Sequence, residues 1–358
     1  MKTWRTVVCV ILVGLSLGLA GCETAVPTSP PTLPTASVQQ PASQTKTASS
    51  TLALQPTQAL PSTTPTAPAQ PVVLLVLPPA GDVRLQVEVQ KILAGLADTA
   101  KYQLKSQTAL SEADLRPEVK IVVMLQVDSG LSQLLLKAPA VQFLAVDIPN
   151  LTQAANLSQV GGQSSQAEKI AFTAGYLAAL VTPDWRAGLL DAAGLPFAGA
   201  YSNGLRFFCG LCRPAFPPFI ANPQSAEIVN PKDAASAQAG VDLLVSRSVR
   251  SVFIPSTVSS PELLAYCAKS GLNLIATQSP PAEIASRWIA TIRQDFEPGL
   301  LQVWPLLLEG KGGQNAAASI LLSDVNPQIF GAARQRLAQE MLDELNQGRI
   351  NPNLDSQP

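Results

Sequence analysis

The chain of 358 residues contains no histidine. That absence excludes Ser-His-Asp and Cys-His catalysis, zinc sites built on imidazole, and acid–base chemistry by imidazole. Charge is scarce as well: charged residues make up 14% of the chain, the formal net charge is -1, and basic residues form no extended run. Because phosphates attract clustered basic side chains, we expect no nucleic-acid partner.

Sequence motifs of common enzymes are missing too. No GxSxG, Walker A or GxGxxG pattern stands where a strand turns into a helix, so acyl transfer, nucleotide hydrolysis and dinucleotide chemistry lack support. The one CxxC pair is not accompanied by a second, and a cysteine zinc site needs both. We therefore expect a protein that is not an enzyme and that holds neither a metal nor a cofactor.

The N-terminus has the pattern of a bacterial export signal. Lys2 and Arg5 precede an apolar run over residues 6–20, which is shorter than the ~20 residues of a membrane-spanning helix. The sequence LAGC at residues 19–22 resembles a lipobox, which implies removal of residues 1–21 and acylation of Cys22, for example with palmitate. We expect a lipoprotein anchored on the extracytoplasmic face of a bacterial cell membrane, where more than one acyl chain gives stable attachment.

Residues 22–71 are rich in proline, threonine and serine and carry almost no charge. Such a composition cannot form a packed core, so we predict a disordered tether behind the lipidated cysteine. As a flexible coil its ends lie about 40 Å apart on average, and as fully extended polyproline it spans on the order of 150 Å. The tether therefore holds a globular body away from the membrane.

The close pair Cys209 and Cys212 has three interpretations. A redox pair is expected directly after a strand at a helix start, where the helix lowers the first thiol's pKa. Here the pair follows Phe207 and Phe208 inside a predicted helix, and an exported location favours oxidation. We favour a local structural disulfide or two buried thiols over thiol–disulfide exchange, and all three remain open.

From residue 72 onward, short apolar runs alternate with amphipathic segments. This alternation predicts an α/β protein with parallel sheets and right-handed crossovers. Residues 164–194 form the expected joint between two lobes: Ser165 and Glu168 have the spacing of a capping box, a buried helix ends at Pro183, and a strand follows. We predict an N-terminal lobe at 72–183 to which about 284–310 returns, a C-terminal lobe at 184–283 with about 315–330, and a closing helix and tail at 331–358.

Ligands of parallel α/β folds bind at the carboxyl ends of strands, so polar groups there are the candidate site. Each candidate also has an alternative explanation that is purely structural. Asp82 and Asp147 fit helix caps or turn residues, and Phe207 fits a core residue. The predicted ligand-binding residues at strand ends are Asp82, Asp147, Asn150, Asp191, Ser256, Gln278 and Gln294. On the segment after the joint they are Tyr201, Asn203 and Phe207.

Residues 166–180, QAEKIAFTAGYLAAL, followed by RAGLL at 186–190, resemble basic membrane protein (BMP/Med/PnrA-like) solute-binding lipoproteins. Later segments at 197–210, 237–244, 288–295 and 346–350 are similar to that family in the same order. The resemblance covers about residues 72–352. It implies a type I periplasmic-binding-protein fold, with two Rossmann-like lobes of parallel sheets joined by a hinge. It also implies ABC permease subunits as partners and, as ligand, a purine nucleoside or a related small polar molecule.

The sequence departs from that family in two ligand loops. Residues 78–82 read PPAGD where relatives carry acidic, phenylalanine and asparagine residues, and 277–280 read TQSP where relatives carry aspartates. Because a carboxylate holds a ribose hydroxyl pair well, these departures weaken the nucleoside assignment more than the fold. We predict a monomeric binding protein for a small polar ligand. The alternatives are a membrane-tethered ligand sensor or interaction protein of the same fold, and an envelope thiol–disulfide oxidoreductase.

Overall fold

The computed structural model describes residues 70–79, 82–128, 130–192, 197–210, 213–230 and 233–353. These residues belong to one compact unit, Thr66–Pro358. The predicted signal peptide, Cys22, residues 22–69 of the predicted tether and Cys212 lie outside the described residues. No helix among the described residues is long and apolar enough to cross a membrane.

Strands and helices alternate along the described chain. From the N-terminus they are β1 (Val72–Val76), α1 (Val83–Thr99), β2 (Gln103–Gln107), β3 (Val119–Leu125), α2 (Leu131–Lys137), β4 (Gln142–Val146), β5 (Leu157–Val160), α3 (Ser164–Val181), β6 (Ala187–Ala192) and α4 (Phe197–Cys209). Then come β7 (Gln224–Ile228), α5 (Ala234–Ser246), β8 (Ser251–Ile254), α6 (Pro261–Lys269), β9 (Asn273–Ala276), β10 (Trp288–Asp295), α7 (Glu297–Leu308), β11 (Asn315–Ala316), β12 (Ser319–Ser323) and α8 (Ala332–Asn346).

The strands form two six-stranded sheets, one in each lobe. The first has the order β11-β5-β4-β3-β1-β2 and is parallel throughout. The second has the order β12-β10-β9-β8-β6-β7, in which only β12 runs antiparallel to its neighbour. Strands such as β1 are buried along their whole length, as expected where helices cover both faces of a parallel sheet.

Helices cover both faces of each sheet. In the first lobe, α1 and α7 pack on one face and α2 on the other. In the second lobe, α3 and α8 cover one face and α5 and α6 the other. Helix α4 packs on α3, so it lies one layer further from the second sheet. The predicted two-lobed α/β architecture is therefore present.

The lobe boundaries differ from the predicted ones. The predicted N-terminal lobe at 72–183 included α3, but this helix packs in the core of the second lobe. The returning segment 284–310 is split, because β10 joins the second sheet while α7 packs on the first. Helix periodicity shows which face of an element is buried but not which sheet buries it. The continuous N-terminal part of the first lobe therefore ends near Gly161 rather than at residue 183, and α7 and β11 return to it later.

Three segments cross between the lobes, and they run side by side. They lie between β5 and α3, between β10 and α7, and between β11 and β12. The amide of Gly161 donates to the carbonyl of Ala316 at 3.0 Å, and the buried Gln166 side chain donates to the carbonyl of Ala318 at 2.5 Å. Gly161 and Gly162 both have positive φ, which glycine adopts without strain. These crossings form the hinge.

Helix α3 begins where predicted but without the predicted capping box. It starts at Ser164 after Gln163, which occupies the N-cap position without a side-chain cap hydrogen bond. Glu168 instead accepts a hydrogen bond from Asn353 at 3.2 Å, so it ties the C-terminal segment to the helix. By contrast Asp82 caps α1 as predicted, because its Oδ1 accepts from the amides of Arg84 and Leu85 at 2.9 and 3.2 Å.

Helices α3 and α4 touch backbone to backbone at two glycines. A Cβ on Gly175 would lie 1.9 Å from the carbonyl oxygen of Tyr201, and a Cβ on Gly204 would lie 1.9 Å from that of Phe172. Both distances are far below van der Waals contact. The glycine of the AGYLAA segment is therefore required by this helix crossing, and no larger residue fits there.

Candidate ligand-binding cleft

A cavity of about 550 Å³ lies between the two lobes. The first lobe contributes the start of α1 and the residues at the carboxyl ends of β3 and β4. The second lobe contributes the loops after β8 and β9, the end of β10 and one residue of α3. The lining residues are Asp82, Val83, Arg84, Leu85, Gln126, Asp147, Ile170, Ser256, Thr277, Gln278, Ser279, Ile292, Arg293, Gln294 and Phe296. The volume is in the range of small-molecule sites.

Asp147 is the central carboxylate of this cavity. It follows β4 directly and has a left-handed φ of 55°, an uncommon conformation that aspartate tolerates better than most residues. Its Oδ2 accepts from the Gln126 side chain at 2.8 Å and its Oδ1 from the Gln294 side chain at 3.2 Å. Burial raises the pKa of the Asp147 carboxyl above its usual range, and these two amide hydrogen bonds oppose that rise.

Direct contacts between the lobes border the cavity. Arg84 of the first lobe donates to the Ser279 hydroxyl at 3.0 Å and forms an ion pair with Asp324 at 3.3 Å. Arg293 of the second lobe is paired with Glu88 on α1. Together with the bond from Gln294 to Asp147, these contacts hold the lobes together, so the structure represents a closed arrangement of the cleft.

Five of the ten predicted ligand-binding residues line the cavity, and they come from both lobes. The first lobe provides Asp82 and Asp147, and the second provides Ser256, Gln278 and Gln294. The Gln278 side chain donates to the hydroxyl of Ser259, and the Ser256 amide donates to the Thr277 hydroxyl at 3.1 Å. The loops after β8 and β9 are therefore cross-linked at the cavity wall.

The three candidates on α4 do not reach the cavity, which corrects their assignment. Tyr201 is fully buried and stacks on Phe253 with ring centroids 6.2 Å apart. Asn203 is buried and donates to the carbonyl of Pro352 at 3.0 Å. Phe207 is 56% exposed and packs edge-on against Phe172. The reason is the position of α4, which packs on α3.

Asn150 and Asp191 also stand apart from the cavity-lining residues. Asn150 is exposed in the loop after β4 and has a positive φ of 58°, as a turn residue does. Asp191 is buried at the end of β6, where its Oδ1 accepts from the amide of Ala192 at 2.8 Å. Burial raises the pKa of Asp191 to about 6, and the charge of Glu227 adds to that effect.

The raised pKa of Asp191 predicts a measurable effect on stability. The folded protein keeps this proton up to about pH 6, whereas the unfolded chain loses it near the normal aspartate value, so the ionised carboxyl destabilises the folded state. We expect the advantage of Asp191→Asn over the parent to be near zero at pH 4, to grow up to about pH 6, and to level off above it. After a discount for partial solvation we expect about 1 to 2 kcal/mol.

This prediction is measured by urea unfolding of both proteins from pH 4 to pH 8. The difference between the two cancels the titration of other groups that the substitution leaves unchanged. Asp98→Asn, an exposed substitution on α1, is the control for a change of aspartate to asparagine away from the buried site. A constant difference between Asp191→Asn and the parent would contradict the raised pKa.

Several cavity residues were missed by the sequence reasoning. They are Arg84, Gln126, Thr277, Ser279, Arg293 and Phe296. Gln126 directly follows the apolar run that forms β3, so its strand-end position was an available signal. No sequence signal indicated that Arg84 or Arg293 lines a cavity, because charged residues on a helix or at the end of a strand usually face solvent.

The cysteine pair lies away from the cavity lining. Cys209 is the last residue of α4 and is disulfide-bonded, while Cys212 lies outside the described residues, so the pairing of the two stays a prediction. Cys267 on α6 is buried and free, and burial raises the pKa of its thiol to about 12, which keeps it unreactive. Among the described residues, no group of three metal-ligating acidic or cysteine side chains occurs.

The two sheets, the shared cavity and the three crossings can be compared with solved structures. An ABC transporter system solute-binding protein from Conexibacter woesei is 15% identical with a TM-score of 0.58, and the match covers 80% of this chain and 99% of that one. The chain has the type I periplasmic-binding-protein fold. This confirms the predicted fold class.

Two further structures share the type I periplasmic-binding-protein fold. An ABC transporter system solute-binding protein from Aeropyrum pernix is 13% identical with a TM-score of 0.50, over 78% of this chain and 93% of that one. A transcriptional activator of the comK gene from Bacillus halodurans is 13% identical with a TM-score of 0.53, over 79% and 99%. No protein-family model and no curated sequence matches the chain. At these identities the likeness concerns the fold alone.

Proposed function

We propose that this protein captures a small polar ligand between its lobes and delivers it to an ABC importer. The observation that carries the proposal is the Asp147 carboxylate, which lies in the interlobe cavity between amides from both lobes. Such a group binds a ligand by accepting hydrogen bonds, and charge-assisted bonds of this kind are about twice as strong as neutral ones. When each lobe contributes a contact to the same ligand, the bound ligand bridges the two lobes and stabilises the closed state.

The groups around Asp147 indicate the chemistry of the ligand. Arg84 and Arg293 are already paired with Asp324 and Glu88, so the cavity offers no unpaired arginine for an anion. Gln294 Oε1 is buried and has no hydrogen-bond partner among the described residues, which leaves an acceptor for a ligand donor. A neutral ligand rich in hydroxyl or amino groups, such as a purine nucleoside, matches this set.

Apolar side chains complete the same cavity. Phe296, Ile170 and Ile292 line it beside the polar groups, and the Phe296 ring is almost fully buried. A ligand with one apolar face and several hydroxyls is bound by such a mixture, because apolar burial provides affinity and the polar groups fix orientation. A purine nucleoside combines an apolar face with several hydroxyls, so we include this class among the proposed ligands.

Ligand entry requires the lobes to separate. The Arg84 contacts to Ser279 and Asp324 and the pair between Arg293 and Glu88 must break, and the motion is taken up at the three crossings. Hinge closure around a ligand is a common transition in two-lobed binding proteins. Because these contacts favour the closed state with or without ligand, they raise the fraction of binding-competent protein and favour affinity, while they slow ligand entry.

The cellular setting is part of the proposal. It comprises a signal peptide, a lipid on Cys22, residence on the extracytoplasmic face of a bacterial membrane, a monomeric state and ABC permease partners. Two solved structures of the same fold are named as ABC transporter solute-binding proteins, which supports this setting. Membership of the basic membrane protein family rests on the sequence resemblance around Gly175. We propose binding without catalysis, because the chain has no histidine.

Thermal-shift measurements on the full-length protein in mild detergent test the ligand class. The panel contains nucleosides, nucleobases, sugars and amino acids. Because a ligand that binds only the folded state stabilises it by about 2.7 kcal/mol at 100 times its Kd, we expect a clear rise in Tm with one class, confirmed by calorimetric titration. If no compound of the four classes raises the Tm, the result would count against a role as a solute receptor.

A second measurement separates an importer component from a ligand sensor. Uptake of the identified ligand is compared between cells with and without the protein. We expect uptake to be lost without it. Ligand binding with unchanged uptake would favour the sensor. Neither readout depends on Cys209, so the Cys209→Ser protein should bind and import as before.

A further inference from the structure

The second lobe carries an exposed aromatic patch, which we define as Phe207, Phe208, Phe216 and Phe219. Phe216 and Phe219 are each 71% exposed and Phe207 is 56% exposed. Burying a phenylalanine side chain stabilises a protein substantially, so four exposed rings in one region mark an interaction surface rather than ordinary surface residues. The cavity lining contains none of them.

The patch is held in place by the fold. Phe208 packs edge-on against Tyr176 at 5.5 Å between ring centroids and lies 6.0 Å from the Trp185 ring. The neighbouring Arg186 side chain is buried and donates to the carbonyls of Phe216 and Pro217 at 2.7 and 3.1 Å. This arginine therefore fixes the loop that carries Phe216 and Phe219 beside the end of α4.

The segment that carries the patch is basic, and the nearby Asp184 carboxylate is paired with Arg186. Between Asp191 and Glu227 the chain contains Arg206 and Arg213 and no acidic residue. Both arginines are exposed, and neither makes an ion pair within the described part of the chain. Exposed aromatic rings beside unpaired basic residues complement the apolar interior and the anionic headgroups of a lipid bilayer.

The N-terminal segment provides a reason for a membrane to be within reach. The sequence places 47 residues between Cys22 and Gln70, the first described residue, and the tether predicted from their composition would reach about 40 Å on average. The proposed lipid on Cys22 would therefore keep the body of the protein at high effective concentration next to a bilayer.

We propose that the aromatic patch inserts into the membrane interface and docks the second lobe on the bilayer, with Arg206 and Arg213 on anionic headgroups. This inference rests on the lipid anchor of the proposed function and adds a second membrane contact to it. The tether alone leaves the orientation of the body free. Docking through the patch fixes one side of the second lobe to the membrane.

The test places a reporter in the patch and another outside it. Phe219→Trp is the reporter, and Leu136→Trp on α2 of the first lobe is the matched control, because Leu136 is also an exposed apolar residue. Both full-length lipidated proteins are reconstituted on vesicles of phosphatidylcholine, alone or mixed equally with phosphatidylglycerol. Tryptophan emission and its quenching by bromine-labelled acyl chains are measured, and the wild-type signal is subtracted.

We expect the Phe219→Trp emission to move to shorter wavelength and to be quenched by the brominated lipid, more strongly on anionic vesicles, while Leu136→Trp stays unchanged. Replacing both Arg206 and Arg213 by glutamine should remove the preference for anionic vesicles. Equal behaviour of the two reporters overturns the proposal. A shift without vesicles that grows with protein concentration also overturns it, because a second copy of the chain is then the partner.

The experiment distinguishes failure of the proposed lipid anchor from failure of membrane docking by the patch. If the anchor fails, wild type and all variants alike fail to float with the vesicles. Phe219→Trp is then titrated with a large excess of anionic vesicles, and an unchanged emission overturns membrane docking by the patch. Ligand binding in the cleft is measured independently, so its failure does not mimic either result.

Discussion

Replacing Gly175 by alanine is expected to destabilise the protein by about 3 kcal/mol or more. The new Cβ would lie 1.9 Å from the carbonyl oxygen of Tyr201 and 2.9 Å from the amide nitrogen of Leu205. These are backbone atoms, so no side-chain rotation relieves the overlap and α3 must move away from α4. Overpacking of a tight interior contact costs about 1 to 3 kcal/mol, and separating two packed helices adds lost core contacts.

The matched control is Gly199→Ala, because Gly199 lies on α4, the helix that packs on α3, and a Cβ there meets nothing within 4 Å. Alanine is the better helix former, so we expect a gain of about 0.5 kcal/mol. Gly204→Ala should resemble Gly175→Ala, since its Cβ would meet the carbonyl of Phe172. Urea unfolding followed by circular dichroism measures all three. A Gly175→Ala protein as stable as Gly199→Ala would disprove the close crossing.

Replacing Asp147 by asparagine is expected to weaken ligand binding by about 10- to 100-fold. A hydrogen bond to a charged acceptor contributes about 1.5 to 3 kcal/mol, and each 1.4 kcal/mol is a factor of ten in Kd. Asparagine keeps the shape of the side chain and removes its charge. The measurement is calorimetric titration with the ligand that the panel identifies, and Asp98→Asn is the control with unchanged affinity.

The pH dependence of binding gives a second readout for Asp147. Burial raises the pKa of its carboxyl, so the ionised acceptor is lost at a higher pH than for an exposed aspartate. We therefore expect the affinity of a neutral ligand to fall as the pH is lowered and expect the Asp147→Asn protein to lack this dependence. Unchanged affinity of the variant would exclude Asp147 as a ligand contact.

The site was partly predictable because strand ends are visible in the sequence. Asp147 follows an apolar run directly, and Gln294 lies near the end of another, so both were placed at a carboxyl edge before the sheets were known. Tyr201 and Asn203 are on a helix whose periodicity shows a buried side but not what buries it. Only the tertiary arrangement shows that α4 packs on α3.

The lobe assignment failed for a related physical reason. The signals of α3 are local: an apolar stripe, then Pro183 after the last turn. The partner of that stripe is a sheet whose strands lie mainly after residue 186. Likewise nothing within β10 distinguishes pairing with β9 from pairing in the first sheet. Long-range pairing is decided by the sum of many contacts, which a short stretch of sequence does not encode.

The three crossings have a consequence for how the chain acquires its structure. The first sheet is completed by β11, which pairs with β5 from far along the chain, and its core includes α7. A chain that emerges N-terminus first therefore holds an unfinished first lobe until almost its last segments are available. Such non-local pairing slows folding. Neither lobe can therefore complete its sheet until most of the chain is available.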